Sequence, residues 1–311
     1  MTRGSHDFAP DPRNEDVLVY VNGDLVPRSQ ATVSVFDSGF ILGDGVWEGI
    51  RLHHGRFAFL DRHLDRLFEG AKTIDLDIGR TRAELVEAME RTVRENDMHD
   101  GVHLRLMVTR GLKRTPTQDP RYNVGPATVV ITAEYKIPPR EGGPTGLRLI
   151  TSHIRRGPPE VQDPRLNSHS KLNCILGMID ALKKGGDEAL MLDPLGFVST
   201  CNSTNFFIVR GEEVWTSTGN YCMNGITRGV VIEIAREDGI PVKEKNFSLV
   251  DVYGADEAFV TGTAAGLMPV SEVDGRPMGE PSMPGPMTKR LLALYEARLA
   301  KEGGVPAGAG R

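Results

Sequence analysis

"DPRLNSHSKLNCILGMIDALKKGGDEALMLD", residues 163–193, decides how this chain is read. Leu172, Ile175, Leu176, Ile179 and Leu182 recur at helical spacing in its middle. Gly185-Gly186 breaks that pattern, and the compact apolar run "EALMLD" that follows is expected to be a strand. A helix carried back to residue 167 would set Asn167 and Lys171 on one face, one turn apart.

The same mixture of periods extends in both directions. "VLVYVNGDLVP" sets Asn22-Gly23 between two apolar runs, a strong hairpin signal because both residues accept positive φ. "FAFLDRHLDRLFEGAKTIDLD" and "RAELVEAMERTVREN" read as amphipathic helices. "GVHLRLMVTRG" alternates, with His103 and Arg105 on one face and Leu104 and Leu106 on the other, and "PATVVITAEY" is β-branched; both read as strands. Beyond residue 193, "GFVST", "NFFIVR", "EVWTS" and "DEAFVTGT" add strands, and "TRGVVIEIAREDG" and "MTKRLLALYEARLAKE" add helices. The breakers of "KIPPREGGPTG" mark a linker. The expected organisation is α+β in two domains: a loose tail over 1–15, a small domain over 16–137, a linker over 138–146, a larger domain over 147–302 and a flexible tail over 303–311.

Composition narrows the function classes. With 39% hydrophobic and 25% charged residues, the chain can bury a core and is no candidate for global disorder. A net charge of -5 without a basic run of five or more argues against nucleic acid. Cys174, Cys201 and Cys222 form no CxxC pair, which argues against a disulfide framework. No apolar run is long enough to cross a bilayer, and the start lacks the apolar segment of a signal peptide. A soluble, cytoplasmic protein without a membrane partner is expected, and no metal site is.

Six phrases, in order, carry a family resemblance: "FDSGFILGDGVWEGIR" (36–51), "HLDRL" (63–67), "DEALMLD" (187–193), "NGITRGVVIEIA" (224–235), "ADEAFVTGTAAGLMPV" (255–270) and "GPMTK" (285–289). Together they resemble the class IV aminotransferases, the fold-type IV family that uses pyridoxal phosphate (PLP). Branched-chain and D-amino acid aminotransferases, (R)-amine transaminases and aminodeoxychorismate lyases belong to it. The resemblance implies the two-domain D-amino acid aminotransferase-like fold, PLP in the cleft between domains, and a homodimer. It implies an amino donor and a 2-oxo acid acceptor as partners. Arg66 would reach the phosphate. Gly225, Ile226, Thr227, Thr263 and Ala264 would supply main-chain and hydroxyl donors, as suits an anion at a helix start.

Two positions depart from the family pattern. Ungapped counting back from Asp187 puts Asn167 where the family has its Schiff-base lysine, and asparagine cannot bond the PLP aldehyde. Lys171, four residues on, is the candidate replacement, because a desolvated lysine near other cations loses its proton more readily. The alternatives are a pocket lysine without imine chemistry and an exposed helix lysine. Thr200 stands where a glutamate usually pairs with the pyridine nitrogen, and a threonine can only hydrogen-bond a largely neutral ring. Asn202 is expected in the same polar network. Trp47, Arg51, His103 and Arg105 are the substrate-side candidates, Arg105 by resemblance at a carboxylate-contact position; a surface ion pair is the competing reading. Arg110, Lys113 and Arg114 in the loop 110–123 would favour an anionic substrate. Amino-group transfer is the expected activity. A PLP lyase or eliminase of the same fold and a non-catalytic small-molecule-binding protein are the alternatives.

Overall fold

The computed structural model describes residues 4, 5, 8, 10–136, 146–279 and 283–301, and the backbone of 303–306. The expected linker lies outside these residues except for Gly146. The chain forms two compact units: Ala9–Ile137 with Asn167–Lys171 and Glu302–Arg311, and Met1–Phe8 with Pro138–Leu166 and Leu172–Lys301.

The first unit opens with the expected hairpin, β1 (Leu18–Val21) and β2 (Asp24–Pro27). Asn22 and Gly23 turn it with φ of 53° and 117°, the left-handed region that Asn-Gly supplies. Next come α1 (Ser38–Leu42), β3 (Gly45–His53), β4 (Arg56–Ala58), α2 (Leu60–Thr73), α3 (Arg82–Glu95), β5 (Val102–Thr109) and β6 (Thr128–Tyr135). The chain's last strand, Gly303–Pro306, pairs with β4. The seven-stranded sheet runs last strand-β4-β3-β5-β6-β1-β2, antiparallel throughout. Period-two alternation sorts the two long strands. Val46, Glu48, Ile50 and Leu52 of β3, with Val102, Leu104, Leu106 and Val108 of β5, are buried. Trp47, Arg51, His103 and Arg105 take the opposite face. Leu64 and Leu67 of α2 and Leu85 and Met89 of α3 complete the core, with α2 against β3 and α3 against β6 and β1. Thr81 caps α3 in a capping box with Glu84.

Two stretches read as tails carry structure. Pro12–Asn14 forms a 3₁₀ turn, and Asn14 Nδ2 donates to the Tyr135 carbonyl at 3.0 Å. At the other end, Gly303–Pro306 is a strand because β4 offers an open edge of unpaired main-chain groups, a cause that the glycine-rich sequence does not display.

The second unit contains β7 (Leu147–Thr151), α4 (Pro159–Gln162), α5 (Leu172–Lys183), β8 (Glu188–Leu192), β9 (Val198–Cys201), β10 (Asn205–Arg210) and β11 (Glu213–Thr216). It continues with α6 (Ile226–Glu237), β12 (Val242–Glu244), α7 (Leu249–Tyr253), β13 (Glu257–Gly262), β14 (Gly266–Val273), β15 (Arg276–Pro277) and α8 (Pro286–Lys301). The sheet order is β12-β11-β10-β13-β14-β7-β8-β9, with β15 on β14. β8 and β9 are buried along their whole length, and β10 and β13 nearly so. Burial on both faces explains the apolar runs of β8, β10 and β13, while β9 buries Ser199 and Thr200 as well. Phe207 and Phe259 are register partners on β10 and β13, and their rings stack at 4.9 Å and 6°.

Both rings of that stack are fully buried. Phe259→Ala should lower the unfolding free energy by about 3–5 kcal/mol. A urea titration would show this as a lower midpoint with little change in slope; an unchanged midpoint would remove the stack from the core.

Candidate active site

The segment 167–171 is not helical. Helix α5 begins at Leu172, so the one-turn spacing expected between Asn167 and Lys171 does not hold. The segment lies instead along the edge of β3. Trp47 N–H donates to the Asn167 carbonyl at 3.1 Å, His169 N–H donates to the Gly45 carbonyl at 3.0 Å, and Ser168 bridges to Val46. Side chains reinforce the pairing: Asn167 Nδ2 donates to the Trp47 carbonyl at 2.5 Å and Trp47 Nε1 to the Ser168 carbonyl at 3.1 Å. The cause is main-chain accounting. β4 pairs with β3 only at Leu52 and His53, which leaves the edge at 45–47 to be satisfied by another segment. Gly45 permits the approach, since a Cβ there would stand 2.7 Å from His169 Cδ2 and 2.4 Å from the Val108 carbonyl.

This pairing collects polar groups around Trp47. Arg105 lies over the Trp47 ring at 3.9 Å from its centroid, and the Lys171 ammonium at 5.6 Å. Lys171 is half-buried. The His169 imidazole is pushed down to about 4, first by burial and then by the positive charges of Arg105 and Lys171, against a main-chain hydrogen bond at Val46. Its Nε2 has no partner among the described residues, nor does Oδ1 of the buried Asn167. Two acceptors are therefore presented by the same short segment as Lys171.

Arg66 lies on the other face of β3. Its Nε and Nη2 each donate to fully buried Glu48 at 2.7 Å, and His63 Nδ1 stands 2.7 Å from the same carboxylate. Burial pushes the Glu48 carboxyl up, but the bonds and charges of Arg66 and His63 outweigh it and hold the group below its ordinary range. Arg66 is thus a guanidinium fixed by a bidentate fork, not a solvated helix arginine.

In the second unit, α6 has Gly225 as its N-cap, so the first main-chain N–H groups, those of Ile226 and Thr227 included, have no side-chain cap. A Cβ on Gly225 would meet Asn205 Oδ1 at 2.3 Å. Thr263 and Ala264 form the turn between β13 and β14, next to Thr261, whose buried hydroxyl has no partner among the described residues. Thr200 is buried and donates its only hydroxyl proton to the Thr204 carbonyl at 2.7 Å. Asn202 acts as a strand tie: its Oδ1 accepts from Ala189 N–H at 2.8 Å and its own N–H donates to the Ala189 carbonyl at 3.1 Å. Those groups are committed to joining β8 and β9.

His103 and Arg105 line a cavity of about 300 Å³ with Arg28, Glu134 and Lys136. Arg51 is the register partner of His103. Two cations of the loop 110–123 are committed elsewhere, while Arg114 is exposed with its guanidinium 5.6 Å from the Tyr122 ring centroid. Arg110 binds Asp44 through Nε at 2.7 Å and the Ile74 carbonyl at 2.7 Å, and Lys113 is buried with Nζ 2.9 Å from Asn123 Oδ1. These contacts build the loop and explain those two charges without an anionic ligand.

The amino-transferase class IV family model matches residues 45–273. The chain belongs to the class IV aminotransferase family. A branched-chain-amino-acid aminotransferase-like protein 2 of Arabidopsis thaliana is 40% identical over 96% of this chain, and the match spans 53% of that protein. The chain thus covers about half the length of that relative. A putative branched-chain-amino-acid aminotransferase of Methanocaldococcus jannaschii is 42% identical, with 92% of this chain and 97% of the other covered. Among solved structures, the Escherichia coli branched-chain amino acid aminotransferase superposes with a TM-score of 0.83 at 27% identity, covering 93% of this chain and 96% of that one. A second branched-chain amino acid aminotransferase, complexed with N-(5'-phosphopyridoxyl)-L-glutamate, superposes with a TM-score of 0.84 at 32% identity, covering 92% of this chain and 95% of that one.

In this member of the family, sequence reasoning singled out Trp47, Arg105 and Lys171, took Glu48 only as a substrate-side residue beside Trp47 and Arg51, and missed His63 and His169. Glu48 and His63 form the seat of Arg66, and their spacing on β3 and α2 shows no pairing until the sheet is folded. His169 stands between two residues that were singled out, yet the helical period suggested a different backbone.

His169 gives a pH signature. Its folded pKa of about 4 lies below the ordinary 6.5, so the unfolded chain takes up a proton first as the pH falls. Stability from this group is fully present above about pH 6.5 and declines toward pH 4. Comparing denaturant midpoints at pH 7.5 and 5, His169→Gln should show a smaller loss than the parent chain. An equal loss would mean that His169 is not held neutral.

Proposed function

We propose that the chain is a PLP-dependent aminotransferase that moves an amino group between an amino acid (branched-chain or D-amino acid) or (R)-amine and a 2-oxo acid, with Lys171 as the amine that bonds the cofactor. Family membership supports the reaction class. The observation that carries the assignment to Lys171 is the pairing of 167–169 with β3, two residues before Lys171, whose ammonium lies by the Trp47 ring that Arg105 also covers. Asn167, at the usual lysine position, is a buried amide and cannot make that bond.

The residues present fit PLP. Arg66, oriented by Glu48, suits a phosphate. In the second unit, the start of α6 at Ile226 and Thr227, after the N-cap Gly225, offers N–H donors of the kind an anion takes, and the turn at Thr263 and Ala264 adds small residues that allow close approach. Bound PLP supplies a ring that draws electrons from the carbon losing a proton. Lys171 would carry that proton. His169, neutral above about pH 4, keeps an acceptor nitrogen on the same segment. Thr200 gives its proton to the Thr204 carbonyl, so to bond an unprotonated ring nitrogen it would have to turn that proton away from Thr204. Arg105 suits a substrate carboxylate, and Trp47, Arg51 and His103 bound its surroundings.

Thr200 in place of a carboxylate favours one alternative, a lyase of the same fold. Release of ammonia and a 2-oxo acid from an amino acid without any acceptor would select it.

Borohydride reduction of the PLP-loaded protein, digestion and mass spectrometry should place the pyridoxyl group on the peptide containing Lys171, and Lys171→Ala should abolish both label and amino transfer. A label on Lys183 or Lys184 instead, or a PLP-binding protein that takes no label, overturns the assignment to Lys171.

A homodimer is part of the same proposal. Leu172, Ile175, Leu176, Ile179 and Leu182 of α5 are 42–67% exposed along one row, and continuous apolar rows on a surface mark association sites. Light scattering should give a multiple of the 34.0 kDa chain mass, reduced by Ile175→Glu with Leu176→Glu. A single-chain mass for the parent protein rules this out.

A further inference from the structure

We propose that His53, His54 and Asp100 form a binding site for one divalent transition-metal ion of the zinc type, on the first unit and apart from the residues considered above. The sequence showed no metal-ligand spacing because the donors come from two segments. His53 ends β3 and His54 opens the turn to β4, while Asp100 lies in the connection between α3 and β5.

Local geometry brings the two imidazoles together. Neighbouring residues of a continuous strand point to opposite faces. His54 instead has φ of 49°, which turns its ring back beside that of His53, with centroids 4.2 Å apart and planes tilted by 46°. The carboxylate is held in advance. His54 N–H donates to Asp100 Oδ1 at 2.9 Å, and Gly55 N–H ties the turn to the His99 carbonyl at 2.7 Å.

The spacing suits a shared ion. Asp100 Oδ1 lies 3.5 Å from His53 Nδ1, and Oδ2 lies 3.5 Å from His54 Nδ1. One donor atom from each residue falls within 4.8 Å of the other two. Ligand atoms around a tetrahedral ion with bonds of about 2.0–2.2 Å stand about 3.3–3.6 Å apart, whereas N–H···O hydrogen bonds favour about 2.7–3.2 Å. The donor set also selects the ion. Two imidazoles and one carboxylate suit zinc, nickel or copper, while magnesium and calcium prefer oxygen alone. Burial raises the Asp100 carboxyl, but main-chain bonds from His54 and Gly101 and the neighbouring imidazoles hold it below its ordinary range, so it is ionised for binding. Water would complete the coordination, and the ion would clamp the β3–β4 turn to the α3–β5 connection.

The test is a calorimetric titration of Zn²⁺ into the EDTA-treated, dialysed full chain at pH 7.5, with a parallel Co²⁺ titration read by visible absorption. One ion per chain and a tetrahedral Co²⁺ band are expected. His54→Asn keeps a residue that tolerates the left-handed turn, and Asp100→Asn keeps an acceptor for the His54 N–H. Each should weaken Zn²⁺ binding by about 10-fold or more and remove the Co²⁺ band, with circular dichroism melts in EDTA unchanged. His53→Gln serves if either variant misfolds. Zn²⁺ bound with parental affinity by these variants, no saturable binding by the parent chain, or equally tight Mg²⁺ binding overturns the proposal.

Discussion

The alternation of β3 is the constraint on which the rest of the first unit depends. One strand of nine residues presents Glu48 to the helices and Trp47 to the opposite face. Removing one partner from a buried ion pair costs about 3–5 kcal/mol, while exposed pairs such as Arg94–Glu95 contribute roughly 0–1 kcal/mol. Glu48 therefore does more than hold α2 to the sheet. It keeps Arg66 in one orientation, and a long, flexible side chain acquires the rigidity that anion recognition needs. A one-residue slip of β3 would exchange the roles of its faces and lose this seat and the Trp47–Arg105 stack together.

The edge of β3 matters as much as its faces. The 167–169 pairing depends on main-chain groups that β4 leaves open and on the absence of a side chain at Gly45. Because the hydrogen bonds are those of a short sheet extension, the position of Lys171 is set mainly by backbone, and Asn167 adds a side-chain bond to the strand it lies against. An amide suits that place: it donates to the Trp47 carbonyl and keeps its oxygen as an acceptor. Lysine could not do both.

The sequence displayed whatever was local. The Asn22-Gly23 turn, the amphipathic α2 and α3 and the alternation of β5 follow from residues within a few positions of one another. The mixed two-unit architecture followed from where the two periods change. What stayed hidden was non-local. Glu48 and Arg66 are 18 positions apart and Trp47 and Asn167 are 120 apart, and no periodicity records either pairing. The apolar period of α5 runs up to residue 172, so nothing marks the preceding five residues as sheet-like. Asn202 looked like a site residue because of its neighbours in the motif, although its hydrogen bonds serve β8 and β9. Arg110 and Lys113 looked like ligands for an anion because loop cations carry no sign of their own partners.

Two strips of chain that complete the first sheet, 167–169 and 303–306, are synthesised after β6 has been made. A growing chain emerges from the ribosome in order, so the first unit's sheet exists for a time with the edges of β3 and β4 uncovered. The first strip arrives soon after β6 and the second only near the end of the described chain. Open edges invite pairing with other chains. The charged residues of that region, Arg51 on β3 and Arg56 on β4, are the kind of residue that discourages such pairing. Completion of this sheet therefore waits for a strip of chain about 170 residues beyond β6.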